Sequence, residues 1–110
     1  MLQGNILVID SDVNQRSLIQ HVLELRCRFF TQGVDGGEAA VRHLFSPSGM
    51  QTEVVLLDMS SSLEEALELT RKIRVAFPHM PIIALTSYGE LEGAREALKA
   101  GANDFLAKPV

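Results

Sequence analysis

Residues 5–12 read Asn5-Ile6-Leu7-Val8-Ile9-Asp10-Ser11-Asp12. Four aliphatic residues follow one another without a polar break and then meet two acids. A run this short and this uniformly apolar suits a strand covered on both faces. Two more runs have the same form: Val54–Leu57, closing on Asp58, and Pro81–Leu85, closing on Thr86-Ser87. Weaker strand candidates are Phe29–Gln32 and Asp104–Ala107, the latter followed by Lys108-Pro109. Between them, apolar residues recur three and four apart, the spacing of one helix face. Val13–Arg26 places Leu18, Val22 and Leu25 together, and Gly37–Phe45 does so with Ala40, Val41 and Leu44. Glu64–Ala76 aligns Leu67, Ile73 and Ala76, with Arg71 and Arg74 expected in water. Gly89–Ala100 aligns Leu91, Ala94 and Leu98. The alternation β-α-β-α-β-α-β-α-β predicts an α/β fold with a parallel sheet.

Turn and cap residues fall at the joints. Asp12 stands three residues before Gln15, a capping-box-like start. Asp35-Gly36-Gly37 is a turn into the second helix, and Ser46-Pro47-Ser48-Gly49 ends that helix in a loop. Ser60-Ser61-Ser62 offers hydroxyls to cap the third helix. Phe77-Pro78 ends the third helix and Gly101 the fourth. The sequence stops at Lys108-Pro109-Val110, just past the fifth strand. Residues 1–110 therefore read as one domain, a fragment whose final helix is missing.

Composition narrows the function classes. Of 110 residues, 46% are hydrophobic and 22% charged, which is ordinary for a globular domain and excludes disorder. A net charge of −4 argues against direct contact with nucleic acid. The single cysteine, Cys27, forbids an internal disulfide and reads as a small buried hydrophobe; a reducing, cytoplasmic setting suits it. No apolar run approaches the roughly 18 residues of a membrane span. His21, His43 and His79 have no metal-ligand spacing.

In open parallel sheets, ligands bind beyond the carboxyl ends of the strands. The residues expected there are Asp10, Ser11 and Asp12, then Asp58, then Thr86 and Ser87, and finally Lys108. Neighbouring carboxylates either raise a pKa or hold a cation, and all-oxygen donors suit Mg²⁺. Lys108 and Thr86 supply the positive charge and the hydroxyl that phosphoryl oxygens require. An Asp carboxylate can itself be the nucleophile. The set reads as Mg²⁺-assisted phosphoryl transfer to an aspartate.

The segments Ile6–Asp10, Val34–Ala40, Val54–Asp58, Pro81–Ser87 and Gly101–Pro109, in this order and spacing, resemble the receiver domain of bacterial two-component response regulators. The resemblance implies a doubly wound, flavodoxin-like five-stranded sheet in the order 2-1-3-4-5, with a fifth helix after Val110. It implies that Asp58 is the phosphoacceptor, and that Asp10, Asp58 and the backbone carbonyl of Ser60 hold Mg²⁺, with Ser11 a weak fourth member. Thr86 matches the switch hydroxyl, Phe105 the switch aromatic and Lys108 the basic partner of the phosphoryl group; Lys108-Pro109 is expected in cis. The implied partners are a histidine kinase and an output domain or downstream protein, with transcription regulation as one output. A second copy on the uncovered face is a further candidate. The domain would assist its own phosphorylation without being a turnover enzyme.

Two departures support an alternative. Members of the family usually have Asp or Glu where this chain has Ser11, and usually a proline where it has Ser62. A pseudo-receiver, keeping the fold and the interaction face without the phosphoryl switch, is the second reading. A third, a phosphatase of the haloacid-dehalogenase type, rests on Asp10-Ser11-Asp12, Thr86 and Lys108; that family needs a further acidic motif after its lysine.

Overall fold

A computed structural model describes residues 4–87 and 91–107. It contains five strands, β1 (Asn5–Ile9), β2 (Phe30–Val34), β3 (Val54–Asp58), β4 (Ile82–Thr86) and β5 (Asp104–Ala107). They form one parallel sheet in the order β2-β1-β3-β4-β5. Four helices alternate with them: α1 (Val13–Leu25), α2 (Gly37–Leu44), α3 (Leu63–Ala76) and α4 (Leu91–Ala100). The expected element order holds, with boundaries moved by one or two residues. Strand β4 starts at Ile82 rather than Pro81, because proline has no N–H for the ladder and the Ile82 N–H is met by Asn103 Oδ1 at 2.8 Å. Inside the expected Ser46–Gly49 loop, a single 3₁₀ turn forms at Gly49–Gln51. The expected start of α4 at Gly89, and Lys108-Pro109, lie outside the described residues.

Contacts divide the chain near residue 55. In the first half, β1 pairs with β2 from Asn5 opposite Phe30 to Ile9 opposite Val34. Leu7, Val8 and Ile9 of β1 are buried, as are Ala40 and Leu44 of α2. Helix α1 corrects the sequence reading. Leu18, Val22 and Leu25 are exposed, at 63%, 44% and 67%, and no α1 residue is fully buried. The half-buried positions are Gln15, Arg16, Ile19, Gln20 and Leu23. Hydrogen bonds explain this face: Gln20 Nε2 donates to Thr31 Oγ1 at 3.0 Å, and the Thr31 hydroxyl donates to Glu24 Oε2 at 2.7 Å. A β-carbon at Gly33 would press on the Gln20 amide, so the missing side chain leaves room for that bond. Cys27 is exposed, not buried, because it follows the end of α1 rather than lying in a strand or helix.

In the second half, α3 buries Ala66, Leu67, Leu69, Thr70 and Ile73. It lies against α4, whose small residues Ala94, Ala97 and Ala100 are buried. Ala76 and Leu98, expected inside, are exposed because they fall at the edges of these buried faces. Arg74, expected in water, is a clamp. Its Nε and Nη2 donate to the Gly101 carbonyl at 3.0 and 2.7 Å, and its Nη1 to the carbonyls of Phe77 and Pro78 at 3.2 and 3.0 Å. Nη2 also reaches Asn103 Oδ1 at 2.8 Å. Gly101 ends α4 with φ +125°, a left-handed value that glycine accepts without strain.

Candidate functional site

Asp10 follows β1 and is buried, 2% exposed. Its carboxylate accepts two neutral donors: the Asp12 N–H reaches Oδ1 at 2.9 Å, and the Gln15 amide Nε2 reaches Oδ2. Arg16 Nη1 donates to the Asp10 carbonyl at 2.6 Å, not to the carboxylate. The Asp12 side chain accepts from the N–H groups of Asn14 and Gln15, at 3.0 and 3.2 Å, so it caps α1. Ser11 is exposed. The capping box is therefore opened out. Gln15 does not bend back to the Asp12 N–H; Asp10 takes that N–H and Gln15 binds the other oxygen of Asp10.

Asp58 ends β3 and is 6% exposed. The Ser60 hydroxyl donates to its Oδ1 at 2.6 Å. The Met59 N–H bonds to the Leu85 carbonyl at 2.8 Å, which sets the residue after Asp58 against the residue before Thr86. Thr86 is buried at the end of β4. Beside these strand ends is a cleft of about 200 Å³ lined by Met59, Ser60, Leu63, Thr86, Ser87 and Gly93. Ser62 caps α3, accepting from the Glu65 N–H at 3.4 Å. Phe105 is half-buried in β5, opposite Ala84.

Of the residues singled out from the sequence, Asp58, Ser60 and Thr86 thus gather in the second half, and Asp10, Ser11 and Asp12 in the first. Lys108 lies outside the described residues. The sequence reading gave the Ser60 carbonyl a place at the metal and offered its hydroxyl as a cap for α3; Ser62 makes that cap, and the Ser60 hydroxyl turns to Asp58 instead. A serine two residues after an acid is the local signal for such a bond. Gln15 was read only as a capping partner; its bond to Asp10 had no signal beyond spacing.

The donor chemistry fits Mg²⁺, which takes hard oxygen ligands and commonly one or two carboxylates completed by waters and phosphate oxygens. Asp10 and Asp58 are each a buried carboxylate at the carboxyl end of its own strand. The donors on Asp10 among the described residues carry no charge, so its negative charge is not cancelled there. The set is lean: no group of three or more His, Cys, Asp or Glu side chains placed to hold a metal occurs among the described residues. Asp12 is occupied as the cap of α1, and the exposed Ser11 brings no charge.

A model of the response regulator receiver domain matches residues 6–110. The chain belongs to that family. As a receiver domain of two-component signalling it is 36% identical over 105 residues to protein PetR of Rhodobacter capsulatus, covering 96% of this chain and 42% of PetR. It is 32% identical over 106 residues to regulatory protein AtoC of Escherichia coli, covering 96% of this chain and 22% of AtoC. A solved receiver domain from Clostridium thermocellum matches with a TM-score of 0.86 and 30% identity, over 98% of this chain and 84% of that one. The receiver chain thus spans less than half the length of these two curated relatives; two further relatives it matches are named as transcriptional regulators. No helix among the described residues is long and apolar enough to cross a membrane.

Proposed function

We propose that this receiver takes a phosphoryl group on Asp58 from a phosphohistidine of a partner kinase, with Mg²⁺ held by Asp10, Asp58 and the Ser60 carbonyl. The observation that carries this reading is the buried Asp58 carboxylate, paired with a hydroxyl and set at strand ends beside an open cleft. An Asp58 oxygen attacks phosphorus, a P–O bond forms, and the P–N bond breaks with its electron pair returning to the imidazole. Bound Mg²⁺ supplies charge to the phosphoryl oxygens in that step. Thr86 and Lys108 answer the added charge, and Phe105 follows the Thr86 hydroxyl, which shifts a two-state surface toward its binding form. The domain is not a turnover enzyme in this reading. Residues 1–110 form one receiver domain of a longer cytoplasmic regulator, with transcription control as its output.

The test is intact mass after incubation with a small-molecule phosphodonor and Mg²⁺. A single base-labile phosphoryl adduct is expected on the native chain and none on Asp58→Asn. An adduct that survives in the variant would overturn the assignment. One observation favours a second reading, a pseudo-receiver: Ser11 is exposed and uncharged while Asp12 is committed to α1. A native chain that neither binds Mg²⁺ at millimolar concentration nor gains mass would select it.

A further inference from the structure

Gln15 makes a hydrogen bond that its place in the helix does not call for. It is the third residue of α1, where a glutamine ordinarily closes the capping box on the N–H of the cap residue. Here Asp10 Oδ1 already accepts that N–H from Asp12. The Gln15 carboxamide extends instead to Asp10 Oδ2. An ionised carboxylate only accepts, so the amide nitrogen must be the atom that faces it. Among the described residues each Asp10 oxygen has one donor, of the roughly four acceptor positions that a carboxylate carries.

The kind of donor matters. A Lys or Arg at position 15 would cancel the Asp10 charge, and a Glu would repel it. An amide orients the carboxylate and leaves the charge in place. The Arg16 guanidinium is directed to the Asp10 carbonyl oxygen. Ser11 adds no charge, so Asp10 is the buried carboxylate among the described residues of the first half, and its orientation decides what that half contributes to a cation.

We propose that Gln15 is a positioning residue for Asp10, fixing its carboxylate in the orientation it offers to a divalent cation. The proposal rests on the reading of Asp10 as a Mg²⁺ ligand given above. Partners that orient a metal ligand from behind typically change affinity by about 10- to 100-fold when removed. The bond also ties Asp10 to the first turn of α1, so cation capture at Asp10 is felt at the Asp12 and Gln15 amides.

The experiment is a Mg²⁺ titration of the native chain, Gln15→Met and Gln20→Met, followed by calorimetry and by backbone and side-chain amide resonances. Methionine keeps the reach of glutamine and loses the donor. Gln15→Met should bind Mg²⁺ about 10- to 100-fold more weakly. Gln20→Met, which breaks a different α1 amide bond, should keep native affinity while its melting temperature reports any general loosening of α1. In the native chain, the Gln15 side-chain amide and the Asp12 N–H should shift together on adding Mg²⁺, a readout that needs no variant to fold. Equal affinity in Gln15→Met and the native chain would overturn the positioning role alone. Native binding without a Gln15 amide response would do the same. A native chain with no Mg²⁺ response would overturn this proposal together with the function on which it rests.

Discussion

Helices α1 and α3 run for 13 and 14 residues, and each starts on a side-chain cap, Asp12 for α1 and Ser62 for α3. Both carry an apolar face legible from spacing. Helix α3 buries five residues, and its Arg74 ties the helix to the segments that end α3 and α4. Helix α1 buries none outright and leaves Leu18, Val22 and Leu25 in solvent. It is fastened by long polar side chains, Gln15 and Arg16 on Asp10 and Gln20 on Thr31. One helix is held mainly by area removed from water. The other is held more by directed bonds, each worth about 1 kcal/mol net and each dependent on a named partner. That contrast puts the helix held by polar bonds next to Asp10 and the helix held by burial after Asp58.

Substitution breaks the contrast most sharply at Ile73, which is 1% exposed. Ile73→Ala should cost about 2–5 kcal/mol, read as a lowered urea midpoint with an unchanged slope. A cost near zero would mean that α3 does not depend on burial. Arg74→Ala comes next, at about 2 kcal/mol, because it leaves the Gly101 carbonyl and Asn103 without their guanidinium partner. Amide exchange should show the loss concentrated around Gly101–Asn103. The smallest change is Leu18→Ala, expected within about 0.5 kcal/mol in the same denaturation assay because the side chain is 63% exposed. A loss comparable to that of Ile73→Ala would show that Leu18 is covered in solution.

The strands were legible because an aliphatic run that halts at an acid or a hydroxyl has few other uses, and Asp10, Asp58 and Thr86 all stand where such runs end. The helices were legible as helices, but the inward face of α1 was not. Leu18-Val22-Leu25 and Ile19-Leu23 are both apolar sets at helical spacing, and periodicity does not choose between them. The choice follows from bonds to distant partners: Gln20 to Thr31, eleven residues on, and the position of Gly33 beneath it. Arg74 escaped for the same reason, since its main acceptor lies 27 residues away. At the candidate site, the acids could be picked out by position. The Ser60 hydroxyl had a local signal, its place two residues after Asp58, whereas the Gln15 amide is set on Asp10 by the fold of the β1–α1 turn.

The 3₁₀ turn at Gly49–Gln51 has an evolutionary consequence. Gly49 is buried, and a β-carbon there would run into the main-chain carbonyl of His43, where no flexible side chain can yield. Its neighbours Ser48 and Met50 are exposed. Drift through this stretch is therefore lopsided. The positions on either side are open to replacement, while position 49 is held to glycine by the shape of the preceding turn, whatever happens to the chemistry at Asp58.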